Sequence, residues 1–341
     1  MRKAGVESAG AVTRDPAHVR QVRSAVLDAL VALGLATQPR LLRLCFLGRS
    51  EDVARTLGAS SDWVETSFVD FSSRDDFGQI VSDLRDRKPD VVIVLAPELV
   101  PRGAFQELPA ITVGYLSEPV SRGDGPSHTD LSRHRSDLRM LDPGNFDRLI
   151  SFDPLMVSTV EAIAPVWRSV PFPVSDRYYR DPHFTSGRPR VVFLGNSTPH
   201  RESFLLGPKQ RFGIVHITSD PGPDDLEGIA DDYDVGIGLH PEANPTFENQ
   251  VCFHLAAGHL VLTEPLSPTH GLEPGIDFIE VSTPERLQWE LALLHEVPDR
   301  YRRVRIRGRQ KAELFRASRV YPALVVDLLR DLEAFGSERL R

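Results

Sequence analysis

From residue 41 the chain alternates short apolar runs with stretches of helical period. The runs LLRLCFLG (41–48), VETSFVDF (64–71), DVVIVLAP (90–97), ITVGYLS (111–117) and RLISFD (148–153) read as strands, with helices predicted near 50–58, 75–87 and 154–163. Short β-rich runs separated by helix-period segments are the pattern of βαβ units on a parallel sheet. The rhythm fails over PFPVSDRYYRDPHFTSGRPR (171–190), whose Pro, Gly, Ser and aromatic residues lack periodicity and mark a linker. It restarts with RVVFLGNS, FGIVHIT, YDVGIGLH, HLVLTEP and DFIEVST, the strands of a second open sheet. From Pro284 onward the pattern is helical, with breaks expected near Pro298 and Pro322. The expected class is α/β: two Rossmann-like domains facing a cleft, then C-terminal helices. The expected boundaries are 1–174 for a first domain with an N-terminal helix, 175–318 for a second, and 319–341 for a helix packing back on the first.

The N-terminal run SAVLDALVALGLA resembles a membrane span only in composition. Asp28 interrupts it, Arg20 and Arg23 flank it, and it falls short of the ~20 apolar residues a span needs. Val19, Val22, Val26, Leu30 and Leu33 recur at helical spacing, so an amphipathic helix is expected.

Composition narrows the function by exclusion. The net charge of −8 argues against bulk binding of nucleic acid. Lys3, Lys88, Lys209 and Lys311 are the only lysines, which disfavours a lysine-based covalent mechanism. Cys45 and Cys252 sit inside apolar runs and no Cys/His metal spacing exists, so a reducing, cytoplasmic setting fits. The tail RYRRVRIRGRQKAELFRASR is dense in arginine; it reads as a solvated basic face or as peripheral contact with an anionic membrane at its inner face.

In open α/β sheets ligands bind beyond the carboxyl ends of the strands. Two such ends carry polar residues that packing does not require. After VVFL come Gly195, Asn196, Ser197 and Thr198, then a helix with Arg201. Glycine admits close approach and arginine offers a fork for phosphate, although a plain βα turn with a solvated arginine has the same sequence. The second is the loop with His240, Glu242, Asn244, Thr246, Glu248 and Asn249. Asn244 before Pro245 reads as an N-cap, Thr246 as a second cap, and the helix should bury Phe247, Val251 and Leu255 and end at Gly258. Its N-terminus would suit a phosphate, or it is simply a well-capped helix. Asp232 and Asp234 imitate a metal-binding DxD but fall at a helix–strand junction, where capping is expected. His254 and His259 are expected on opposite sides of a helix end, which disfavours a metal pair. Walker, GxSxG and HExxH motifs are absent.

With FLGNS and its following arginine, YDVGIGLH, FENQVCFHLAAGHLVLTEP and the closing GIDFIEVSTPERL, residues 189–320 resemble the two-Rossmann-domain (GT-B) glycosyltransferases. The resemblance is to the retaining group-1 or family-4 type, including the branch of spore-maturation CgeB-like proteins; residues 41–174 match only as a generic fold. It implies a nucleoside-diphosphate sugar as co-substrate, with no further cofactor and no metal. The donor would contact Gly195, Asn196, Ser197 and Arg201, the amides at Thr246, Phe247 and Glu248, and His240, Asn244 and Asn249. That family usually has a ribose-binding glutamate where this chain has His254, so His254 is expected to face the cleft, and another glutamate eight positions earlier, where this chain has Thr246. Glu248 is the candidate to stand in for one of them, in a catalytic role. The first domain would hold an unknown small-molecule, glycan or lipid-linked acceptor near Glu118, His128, Asp130 and His134. A retaining reaction needs no strong base there; an inverting one would draw it from His128 or Asp130. The loop is also readable as ordinary surface. Two rival functions stand beside the transferase: a sugar-nucleotide epimerase, and a degenerate sugar-nucleotide-binding subunit.

Overall fold

The computed structural model describes Asp28 and residues 41–336, except 62, 72–76, 122–128, 183–186 and 219–220. The N-terminal amphipathic run and His128 therefore lie outside the described residues.

The first sheet contains β1 (Leu42–Gly48), β2 (Val64–Asp70), β3 (Val91–Val94), β4 (Ile111–Leu116), β5 (Arg148–Ser151) and the short β6 (Arg168–Ser169). All pairings are parallel and the order is β2-β1-β3-β4-β5-β6. The second contains β7 (Val191–Leu194), β8 (Val215–Ile217), β9 (Val235–Gly238), β10 (Leu260–Thr263) and β11 (Ile279–Glu280), again all parallel, in the order β11-β10-β9-β7-β8. The two sheets are wound alike: the second strand lies outside the first, and the third lies on its other side. Parallel strands covered on both faces read as continuous apolar runs, as β3 (VVIV) does with every residue buried.

Helices fill both faces. In the first domain α1 (Ser50–Thr56), α2 (Phe77–Arg87), α3 (Thr129–Asp137) and the one-turn α4 (Val157–Val160) follow strands. In the second, α5 (Pro199–Phe212), α6 (Pro223–Asp232), α7 (Asn249–Ala256) and α8 (Pro284–Glu296) do so, and α9 (Arg302–Lys311) follows α8. The last helix, α10 (Ala317–Phe335), returns to the first sheet. Its Tyr321, Leu324, Val325, Leu328, Leu329 and Leu332 share a core with Leu42, Leu44, Phe46 and Val113. Arg148–Asp331 (2.6 Å) and Arg168–Asp327 (2.7 Å) tie it to the sheet edge. The two passages between domains lie side by side, where Val174 bridges Arg316.

The expected break near Pro298 is present between α8 and α9, but Pro322 lies inside α10. It removes one backbone donor in the second turn, and the buried apolar face carries the helix across it. Among the described residues no helix is long and apolar enough to cross a membrane. Part of the arginine-rich tail is committed within the molecule. Arg305 donates to the Gly258 carbonyl (2.6 Å), and Glu313 gathers Arg309 (3.0 Å), Arg316 (2.6 Å) and Arg319 (3.1 Å). The membrane reading of the tail thus loses part of the charge it relied on, while Arg300, Arg302, Arg303 and Arg307 remain exposed.

Candidate functional site

Strand order reverses between β7 and β9, so the helices after them leave on opposite faces and open a crevice at the carboxyl edge. The loop after β7 and the loop after β9 flank it. Gly195, at φ +140°, ends β7 in a conformation suited to glycine, and a Cβ there would press on the Arg201 guanidinium. Thr198 then caps α5 by accepting from the Arg201 amide (3.2 Å).

Arg201 is 7% exposed and lies across the crevice floor. Its Nε donates to the Leu239 carbonyl (3.0 Å), Nη1 to the Asn196 carbonyl (3.1 Å), and Nη2 reaches Glu248 Oε2 (3.4 Å). Burial lowers its pKa, opposed by the charges of Glu248 and Glu264. This guanidinium is therefore a brace between two loops as much as an open fork for phosphate.

Beside it lies a group the sequence reading missed. Glu264, at the end of β10, is buried; one oxygen accepts from the His240 amide (2.8 Å) and the other pairs with His200 Nε2 (2.9 Å). His240 is buried too, with Nε2 bonded to the Pro265 carbonyl (3.0 Å) and Nδ1 left without a partner. An Nε2–H on His240 satisfies that carbonyl and leaves Nδ1 as an acceptor. Burial lowers the His240 pKa, which favours this neutral form. The available signal was position: Glu264 and His200 each sit one or two residues past a strand end or helix start.

The stretch 244–248 differs from expectation. Helix α7 begins at Asn249 with Glu248 as its N-cap residue, and the expected caps Asn244 and Thr246 lie upstream of it. Thr246 instead donates to Asp153 Oδ2 of the first domain (3.3 Å), and Phe247 is fully buried against His270 and Phe315. These two anchors keep the segment extended. Asn244 is exposed.

His254 is the clearest departure. It is 0% exposed, facing the core and not the cleft, under Gly236 of β9, where a Cβ would run into its ring. Its Nδ1 lies 3.0 Å from His259 Nδ1, and His259 Nε2 lies 3.3 Å from the Ala230 carbonyl. The two histidines expected on opposite sides are thus in contact. The cause is geometric: α7 runs back along the sheet at about 1.5 Å per residue, so five residues carry His254 about 7 to 8 Å below the carboxyl edge. Desolvation holds its pKa down to about 3. Asp232 and Asp234 are structural: Asp234 accepts from the Arg190 amide (2.8 Å), and Asp232 pairs with the Arg190 side chain (3.0 Å). Among the described residues no group of three or more His, Cys, Asp or Glu is placed to hold a metal.

The first domain presents its own carboxyl edge to this crevice. Asn196 Nδ2 meets Asp130 Oδ2 of α3 (3.3 Å), and Asn249 Nδ2 donates to the Ser117 carbonyl after β4 (3.3 Å). His134, one turn beyond Asp130, holds the Pro119 carbonyl through Nδ1 (2.9 Å), while Glu118 is exposed. Glu98, just past β3, was not anticipated. Burial pushes its carboxyl up to about 7, with repulsion from Glu118 and Asp137 adding to the shift.

The whole arrangement is similar to that of HepE from Anabaena, solved in complex with UDP-glucose, with a TM-score of 0.50 and 10% identity over 86% of this chain and 99% of that one. Sucrose-phosphate synthase from Thermosynechococcus elongatus is similar at 0.49 and 12% identity, over 93% of each chain. AviGT4, a glycosyltransferase involved in avilamycin A biosynthesis, is similar at 0.49 and 13% identity, over 93% of this chain and 90% of that one. No protein-family model and no curated protein sequence matches the chain. At these identities the likeness speaks for fold alone, and the fold is the α/β, two-Rossmann-domain arrangement of the GT-B glycosyltransferases.

Proposed function

We propose that this protein is a glycosyltransferase that takes a sugar from a nucleoside-diphosphate donor without a metal. The placement in the CgeB-like branch and the retaining outcome belong to the same proposal. The donor lies at the second sheet's crevice, among Gly195–Ser197, His240 and Glu248–Asn249. The acceptor approaches from the first domain's edge, near Glu98, Glu118, Asp130 and His134. One observation carries this reading: the carboxyl ends of two parallel sheets face each other, joined by Asn196–Asp130, Asn249–Ser117 and Thr246–Asp153. Ligands of open α/β folds bind at such edges.

A second reading, a sugar-nucleotide-binding subunit without turnover, draws on Arg201 being braced internally and on His254 being buried where the resembled family carries a ribose-binding glutamate. Titrating the purified protein with UDP-, GDP- and dTDP-sugars and then following slow donor hydrolysis separates the readings. Saturable binding with release of free sugar, unaffected by EDTA, supports the transferase. Binding with no turnover supports the subunit, an isomerised sugar supports an epimerase, and no binding at all rejects the donor site.

A further inference from the structure

The loop after β7 has its side chains already engaged. Ser197 Oγ donates to Glu202 Oε1 (2.6 Å), which also receives Lys209 Nζ (2.8 Å), and Asn196 Nδ2 is turned to Asp130. Its carbonyls are engaged as well: Gly195 O accepts from His216 Nε2 (2.7 Å), and Asn196 O accepts from Arg201 Nη1 (3.1 Å). In a trans peptide the carbonyl of one residue and the N–H of the next point in opposite directions. Fixing the Gly195 carbonyl on His216 therefore turns the Asn196 N–H to the side opposite His216, and fixing the Asn196 carbonyl on Arg201 turns the Ser197 N–H to the side opposite the guanidinium. Both residues are exposed, and among the described residues no acceptor faces either N–H.

Resting on the donor reading above, we infer that His216 and Arg201 are positioning residues: they clamp two carbonyls so that the Asn196 and Ser197 amides present a pair of donors to the donor's diphosphate. Backbone N–H groups presented in succession make an anion-binding concavity. His216 suits the role because it is held from three sides. Its ring lies on Phe193 (centroids 4.9 Å apart), Nε2–H is fixed on the carbonyl, and Nδ1 is 3.7 Å from Glu202. It touches no part of the crevice itself in this role.

The test compares His216→Phe, which keeps an aromatic ring on Phe193 and loses the donor, with His216→Gln, which keeps an amide donor at similar reach and loses the ring. Calorimetric titration of the full chain with UDP, GDP and dTDP identifies the nucleotide that binds, and its monophosphate is run in parallel. The clamp predicts that His216→Phe weakens the diphosphate about tenfold, weakens the monophosphate less, and that His216→Gln restores affinity. A core-packing role predicts the reverse order, with Phe tolerated and Gln lowering the melting temperature. Unchanged diphosphate affinity in a folded His216→Phe overturns the clamp while leaving the donor reading intact. Silence of the wild-type protein toward all three nucleotides overturns both.

Discussion

The second sheet carries a buried polar cluster at each end, and the two behave differently. At the carboxyl edge Arg201, Glu248, Glu264, His200 and His240 form charge-assisted contacts beside the crevice and the facing domain. Toward the amino edge His254 and His259 form a hydrogen-bonded pair, with the His254 ring sealed under Gly236 and its Nε2 unpartnered. Similar residue types thus line the crevice edge in one place and pack the core in the other. Depth along the strand decides between them, and residue type does not.

The sharpest break of this contrast is His254→Glu. A carboxylate buried without a partner costs about 3 to 5 kcal/mol, so the variant should melt far below wild type or fail to fold. This reverses the expectation of a cleft-facing ribose ligand. His254→Leu, which forfeits one hydrogen bond to His259, should lose about 1 kcal/mol and keep its nucleotide affinity. Tight nucleotide binding by a stable Glu variant would place His254 back at the crevice.

Next in size is Gly236→Ala. Its methyl group meets the His254 ring, and overpacking of this kind costs about 1 to 3 kcal/mol. Pairing it with His254→Ala should recover part of the loss, since contacting residues are not additive. Strict additivity in chemical denaturation would show that the two do not touch.

The same contrast appears in the pH dependence. His254 is neutral in the fold down to about pH 3 but takes a proton near 6.5 when unfolded. The unfolded state thus binds more protons between those values, and stability falls as pH drops through that window. Glu98 acts oppositely: its folded carboxyl titrates near 7 against 4.5 unfolded, so stability falls as pH rises from about 4.5 to 7. Glu98→Gln should therefore stabilise the protein above pH 7 by about 3 kcal/mol, raising its melting temperature, and change little at pH 4. His254→Leu should flatten the acid limb alone.

Much of this fold could be read from the chain. Runs such as VVIV and VVFL are buried on both faces and have no other stable use, so the parallel sheets and their alternation with helices followed directly. The two-domain winding, with the same strand order in each half, needed the structure, because order depends on which neighbours pair across space. The candidate site was legible by location and less so by residue. Gly195 and Arg201 stood out as a strand-end glycine and a nearby fork, but the internal bracing of Arg201 by the Leu239 and Asn196 carbonyls has no local signal. The cap assigned to Asn244 failed because a tertiary contact, Thr246 to Asp153, outcompeted local capping. Glu264 and Glu98 were passed over because each looks like a loop carboxylate until burial is known.

Backbone hydrogen exchange, with and without a saturating nucleoside diphosphate, tests the central claim most directly. The account predicts added protection over 195–202 and 239–250, at the carboxyl edge, and none over 254–260, at the amino edge. Protection confined to 254–260, or absent from both segments while the nucleotide is bound, would contradict it.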